Sequence, residues 1–368
     1  MKLDEFLIVI NDIAPTRHAE PWDNVGLIVG DPEQQISCAM LTIDYTTAVA
    51  EEALRAGTDL VIAYHPPLFQ AVKRFTADSS TKLMFDAARR GVAVYSPHTA
   101  IDIAAEGTND MLADVLGLST DARRPLRVSQ PQSTQCKLVI FSPVDAVEKV
   151  SEALFNAGAG RIGQYTHCSF RSNGTGTFIG EAGTNPTVGQ AGKFETADEV
   201  RIETVLPLEK VTEAVAALRA AHPYEEAAFD LVQLAAAPEG LGQGRIGDLD
   251  RPTSLASLFD RIKRELSLEH LLIAGPQLGD VTRVACCAGS CGDLLDDAIK
   301  QGAQLYLTGE MKHHEALKAS AAGMTVVCTL HSNSERAMLR RLQAKLSEKL
   351  PGLVVEISKM DRDPFTIR

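Results

Sequence analysis

The chain has 368 residues, of which 45% are hydrophobic and 23% charged, with a formal net charge of −12; this is globular rather than disordered composition, with apolar material for two compact units. The acidic balance disfavours nonspecific attraction to nucleic acid or an anionic membrane, and no apolar run reaches the roughly 20 residues that span a bilayer. Met1–Pro15 lacks the layout of a signal peptide, and seven scattered cysteines fit reduced thiols better than a disulfide framework, so a cytoplasmic protein is expected.

In chain order, Trp22-Asp-Asn-Val-Gly-Leu27 precedes a strand and is a candidate cleft lining, although Asn24 and Gly26 suit turn roles equally well. Next, Ala53–Gly57 closes an amphipathic helix. A short apolar strand follows and delivers Tyr64-His65, eight positions past the glycine. Gly57 suits the left-handed C′ position of that helix. Pro66-Pro67 stiffens the backbone after His65 and so aims the imidazole. A second helix, Leu83–Gly91, leads through Val-Ala-Val-Tyr-Ser-Pro to His98-x3-Asp102.

Polar residues over 123–135 read as a linker, and Ala235-Ala-Ala-Pro-Glu-Gly-Leu-Gly-Gln-Gly244 reads as a second break. Between them, strand Lys137–Pro143 precedes helix Val147–Gly158, strand Val200–Pro207 precedes helix Lys210–Ala221, and Ala228–Leu234 closes the set. This is the pattern of a ferredoxin-like insert. Gly174-Thr-Gly-Thr-Phe precedes no helix, so a hairpin is expected there rather than a phosphate loop. The expected organisation is an α/β domain in two parts, 1–128 and 237–368, around an α+β insert at 129–236.

The last third repeats the first. Ala298–Gly302 matches Ala53–Gly57 and leads to Glu310; Glu315–Gly323 matches Leu83–Gly91 and leads to His331-x3-Glu335. Common Ala-rich helices account for the elements, but not for imidazole and carboxylate recurring at the same strand ends, where α/β sheets place their chemistry. In a helix starting at Ser332 or Asn333, positions i and i+4 bring His331 and Glu335 onto one face. His65, Asp102, His331 and Glu335 are therefore the candidate metal ligands. A thiolate-free His/carboxylate set suits zinc, iron or manganese, and a carboxylate can bridge two ions. Cys287-x3-Cys291 lacks a second pair and reads as buried or strand-end thiols. Adjacent His313 and His314 point apart.

These motifs resemble those of the GTP cyclohydrolase I type 2 family, also called NGG-interacting-factor-like proteins, over essentially the whole chain. The resemblance rests on Trp22–Leu27, Tyr64-His-Pro-Pro-Leu-Phe69, Pro97–Asp102, Gly309-Glu-Met-Lys-His-His314 and His331–Arg336. His222-Pro-Tyr-Glu-Glu226 looks like the end of the PII/CutA-like insert of the longer bacterial members. The resemblance implies two intertwined α/β repeats with mixed sheets, two divalent ions per subunit bridged by Glu335, and a homohexamer. One departure is Tyr64, where the bacterial pattern usually has histidine. A neutral phenol is a poor ligand, so one ion should bind more weakly or recruit His98.

The first functional reading is a metal-dependent hydrolase that opens the purine ring of GTP. His98 and Glu310 are then the candidate proton shuttles, and Lys73, Arg74 and Arg336 the candidate phosphate-binding residues. The alternative is a non-catalytic metal-binding or regulatory protein whose insert senses a ligand or a protein partner.

Overall fold

In the computed structural model, the described residues are 1–78, 80–129, 132–235 and 240–367. They divide into two compact units, Met1–Ser129 with Pro238–Arg368, and Gln130–Ala237. Both expected breaks are seen only in part, because 130–131 and 236–239 lie outside the described residues.

The first part of the larger unit contains α1 (Leu3–Ile13), β1 (Gly26–Val29), β2 (Cys38–Thr42), α2 (Thr47–Ala56), β3 (Leu60–Ala63), α3 (Lys82–Arg89), β4 (Ala93–Ser96), α4 (His98–Ile103) and α5 (Thr108–Leu116). Two short strands, β5 (Arg123–Arg124) and β6 (Arg127–Val128), end it. The smaller unit contains β7 (Gln132–Pro143), α6 (Val147–Asn156), β8 (Ser169–Ile179), β9 (Phe194–Pro207), α7 (Val211–Ala221) and β10 (Phe229–Ala235). The chain then returns through β11 (Gly242–Gln243), β12 (Arg245–Ser254), α8 (Leu255–Leu266), β13 (Leu272–Ala274), β14 (Asp280–Ser290) and α9 (Leu295–Lys300). It ends with β15 (Leu305–Glu310), α10 (His313–Ala321), β16 (Thr325–Cys328), α11 (Asn333–Lys349) and β17 (Val354–Ile357).

Local chemistry fixes the repeated elements. Thr46 caps α2 by accepting from the Val49 N–H, and Gly57 ends it at φ 68°. All four β3 side chains are buried, as are those of β4 and β16, which explains their unbroken apolar runs. The first sheet has the order β1-β4-β3-β2-β17 and the second β13-β16-β15-β14-β12-β5. In each, an antiparallel edge strand lies beside three parallel strands. The two halves of this unit therefore repeat one topology.

They also interlock. β17, from the extreme C-terminal part, pairs in parallel with β2, matching Val354 to Cys38. One buried cluster includes Phe6, Leu41 and Ile62 from the first half with Leu258, Leu305 and Leu342 from the second. Separating the halves would expose this surface, at about 25 cal/mol per Å² of apolar area.

In the smaller unit the sheet order is β10-β7-β9-β8, with every neighbouring pair antiparallel. Residues from the sheet and both helices, among them Leu138, Ile140, Val150 and Leu218, form its core. The hairpin expected at Gly174-Thr-Gly-Thr-Phe is corrected. These residues lie inside β8, with Gly174 opposite Glu199 and Gly176 opposite Ala197. A strand whose side chains are nearly all exposed gives no alternating apolar pattern to read.

Candidate metal centre

His65 stands immediately past the C-terminal end of β3. Its backbone N–H donates to the Ile43 carbonyl (3.0 Å), while the Ser96 hydroxyl and the His98 N–H donate to the Tyr64 carbonyl (2.8 and 3.2 Å). With Pro66 and Pro67 following, the backbone carrying the imidazole is held on both sides. His98 opens α4 at φ 26°, and Leu330 holds φ 72° just before His331. A positive φ in a non-glycine residue costs about 1–3 kcal/mol. Both halves of the unit carry that strain at the strand-to-helix turn that presents a histidine. Glu335 follows in the first turn of α11 and is buried.

His65, His331 and Glu335 each offer a ligand atom, all within 4.8 Å of one another. His65 Nε2 is 3.1 Å from Glu335 Oε2, and His331 Nε2 is 3.4 Å from Glu335 Oε1. The ring centroids of His65 and His331 are 5.1 Å apart, and those of His65 and His98 5.4 Å. The opposite nitrogen of each imidazole is taken by a carboxylate. His65 Nδ1 meets Asp44 Oδ1 at 2.9 Å, His331 Nδ1 meets Glu310 Oε1 at 3.0 Å, and His98 Nδ1 meets Asp23 Oδ1 at 2.7 Å.

A carboxylate on Nδ1 fixes the ring and raises the basicity of Nε2, the usual arrangement behind a metal-bound histidine. His65 Nε2 and Glu335 Oε2 are both buried, and neither has a hydrogen-bond partner. Although close, they are off the line that a hydrogen bond requires. Buried polar atoms left this way are costly, and a cation between them would satisfy both. The donor set therefore fits a divalent ion.

Charge follows the geometry. Burial disfavours protonated His65, but the Asp44 and Glu335 carboxylates outweigh it and lift the imidazole to about 10. The hydrogen bond from His65 holds Asp44 below the usual carboxylate range. Burial would raise Asp23, but its bonds from His98 and Thr99 win and lower it. Burial, followed by the Glu335 charge, raises Asp102 to about 6.

The expected site residues do not all converge. His65, His331 and Glu335 converge. Asp102 receives the Tyr64 hydroxyl, which also lies 2.7 Å from the Thr108 hydroxyl. Burial, with Asp102 next, keeps the Tyr64 phenol well above its ordinary value and hence neutral. Glu310 sits on the far nitrogen of His331. Arg336, the expected phosphate ligand, is ion-paired here: its guanidinium donates to the Asp361 carboxylate (2.6 Å) and the Asp361 carbonyl (3.3 Å). Lys73 and Arg74 are exposed, and among the described residues no ion pair joins them to the cluster. Asp23 was expected only as part of a candidate cleft lining, not as the partner of His98, and Asp44 was not anticipated. Asp44 lies just past β2, on the same sheet edge as His65, a position the strand-end rule covers.

Two features border the cluster. Exposed Trp22 lies 5.8 Å from Phe69 and 6.1 Å from His98, between ring centroids. An apolar cavity of about 350 Å³ opens at Glu310, lined by Ile273, Met311, Val326, Leu330 and Phe365 among others.

Two interlocked α/β repeats sharing a His/Glu cluster define a candidate metal-binding protein. The chain belongs to the Duf34/NIF3 (NGG1p interacting factor 3) family, whose model matches residues 1–364. It is 32% identical over 366 residues to the GTP cyclohydrolase 1 type 2 homolog of Bacillus subtilis, covering 98% of this chain and 97% of that one. Among solved structures, it is similar to a Bacillus cereus protein related to NIF3, with 31% identity, TM-score 0.66, and coverage of 100% of this chain and 99% of the other. It is also similar to Staphylococcus aureus protein SA1388, with 25% identity, TM-score 0.75 and the same coverage. No helix among the described residues is long and apolar enough to cross a membrane.

Proposed function

We propose that the chain is a divalent-metal-binding hydrolase, acting on a small molecule with a planar ring, in the sense the name GTP cyclohydrolase carries for its relatives. The observation behind this reading is the convergence of two imidazoles, each pinned at Nδ1 by a carboxylate, on the buried Glu335 carboxylate. His65, His331 and Glu335 would hold the ion. When bound, a divalent ion polarises a substrate oxygen and lowers the pKa of water to about 7.

The chain's own groups supply the rest. His98, with Nδ1 fixed by Asp23, has Nε2 left to take or return a proton. Glu310 keeps His331 oriented. Trp22 and Phe69 give a flat substrate an aromatic surface beside His98, worth about 1–3 kcal/mol per stacked base. The Tyr64 hydroxyl occupies Asp102, which would favour one firmly held ion over full two-ion occupancy. That feature also favours the non-catalytic metal-binding alternative. In the same reading, residues 129–236 are a ferredoxin-like, PII/CutA-like insert, supported by the strand–helix–strand–strand–helix–strand order, and the subunits form a homohexamer.

The test pairs metal analysis with turnover. Manganese- or zinc-loaded protein should release formate from GTP, and His331→Ala should lose both the ion and the activity. Since Trp22 is the only tryptophan, its fluorescence reports binding independently. Guanosine nucleotides should quench it and ribose 5-phosphate should not. Bound metal without turnover of GTP or other cyclic amides leaves the non-catalytic reading.

A further inference from the structure

At the end of β14 the chain departs from regular pairing. Cys287 faces Thr308 of β15 and Ser290 faces Glu310, so two residues on β14 lie between these pairs where β15 has only one. Such a bulge redirects the strand, here with Gly289 at φ 68°. The redirection brings Cys291 back onto Cys287, with the two sulfurs 2.7 Å apart. Cys287 is buried and Cys291 only partly so.

We infer that Cys287 and Cys291 are a dithiol that closes to a disulfide when a hydroperoxide reaches Cys291, and that closure acts on the neighbouring cation site. A disulfide needs sulfurs about 2.05 Å apart, a small further approach. Two thiolates sharing a tetrahedral zinc, with Zn–S of about 2.3 Å, would stand about 3.8 Å apart. The two sulfurs are within reach of one another, as a disulfide requires. The Cys291 sulfur attacks the peroxide oxygen, the O–O bond breaks, and Cys291 becomes a sulfenic acid as the peroxide is reduced to alcohol or water. Cys287 sulfur then attacks Cys291 sulfur. The S–S bond forms, the S–O bond breaks, and hydroxide leaves as water with the Cys287 proton. Burial keeps Cys287 from the peroxide, while the part-exposed Cys291 is open to it, so Cys291 takes the first step and Cys287 the second.

Two of the three residues between the cysteines, Ala288 and Gly289, reach the proposed ligands through one intervening side chain each. The Gly289 N–H donates to the Ser334 hydroxyl (2.8 Å), which donates to the His331 carbonyl (2.7 Å). A Cβ at Gly289 would stand 2.9 Å from Glu335 Oε1 and 3.4 Å from His331 Nε2. The Ala288 N–H donates to Asn109 Oδ1 (3.0 Å), whose Nδ2 donates to the Asp102 carbonyl (2.9 Å). Closing the loop therefore shifts backbone that backs both histidine and carboxylate. This coupling rests on the proposed metal centre; the disulfide itself does not.

Full-length protein treated with hydrogen peroxide should lose the mass of two hydrogens, and peptide mapping should yield a Cys287–Cys291 crosslink that dithiothreitol reverses. Cys287→Ser should instead accumulate a dimedone-trapped sulfenic acid at Cys291, and Cys291→Ala should leave Cys287 unmodified. Recovery of both as free thiols, or a crosslink to another cysteine, overturns the assignment. Oxidised and reduced wild-type protein should differ at least tenfold in manganese(II) affinity. Equal affinities with the crosslink formed overturn the coupling.

Discussion

If His65 is a ligand, binding a cation must first remove its proton. With Asp44 and Glu335 holding the imidazolium to about 10, only about one molecule in a thousand presents a neutral His65 at pH 7. Each cation bound should then displace one proton, and apparent affinity should rise about tenfold per pH unit between roughly pH 7 and 8.5. Asp44→Asn removes the leading favourable influence on the imidazolium and opposes itself at neutral pH. It lessens competition from the proton, yet loosens the ring and lowers its basicity, at about 10–100-fold in metal affinity. A comparison at one pH is therefore uninformative, and the slope decides. Anaerobic calorimetry with manganese(II) across this range, repeated in buffers of different ionisation enthalpy, gives affinity and proton release together. Wild type should show a steep slope, and Asp44→Asn a shallower one that levels off at lower pH. A flat wild-type profile, or no proton released, refutes the argument.

Tyr64→His should free Asp102 from the phenol and raise the stoichiometry from one manganese per chain to two, read by metal analysis after gel filtration. Gly289→Ala adds a methyl 2.9 Å from Glu335 Oε1 at a φ of 68°, and should weaken cation binding at least tenfold while destabilising the fold by about 1–3 kcal/mol. Asp110→Ala strips the carboxylate from Arg123 and Arg245, 3.1 and 2.6 Å away and both largely buried, and should cost about 3–5 kcal/mol in denaturant unfolding. In chelator-treated protein, the raised His65 value contributes stability that is complete below about pH 6.5 and lost as pH rises through about 10. The difference in Tm between wild type and His65→Gln should narrow across that window.

The duplicated helix–glycine–strand units and their His-x3-acid endings were legible in the sequence because glycine caps, buried parallel strands and strand-end polar residues each leave a local pattern. The meeting of His65 with His331 and Glu335 followed from that symmetry, not from any local pattern. What was not legible depends on contacts without periodicity. Asp23 and His98 are separated by 75 residues, and Asp23 lies in a segment that reads equally well as a turn. Glu310 was expected to carry protons, and only the fold reveals that its carboxylate lies on His331 Nδ1. The ion pair of Arg336 was not legible because its partner, Asp361, lies 25 residues away beyond the end of β17. Strand β17 reads as apolar, but nothing local says that it completes the sheet of the opposite half.

Anomalous diffraction at the manganese, iron and zinc absorption edges, from crystals grown without added metal and then from crystals soaked in manganese(II), tests the shared cation directly. An ion within about 2.0–2.3 Å of His65 Nε2, His331 Nε2 and a Glu335 oxygen is the predicted result. Soaked crystals with no anomalous peak among these three side chains, or with ions held only elsewhere, contradict it.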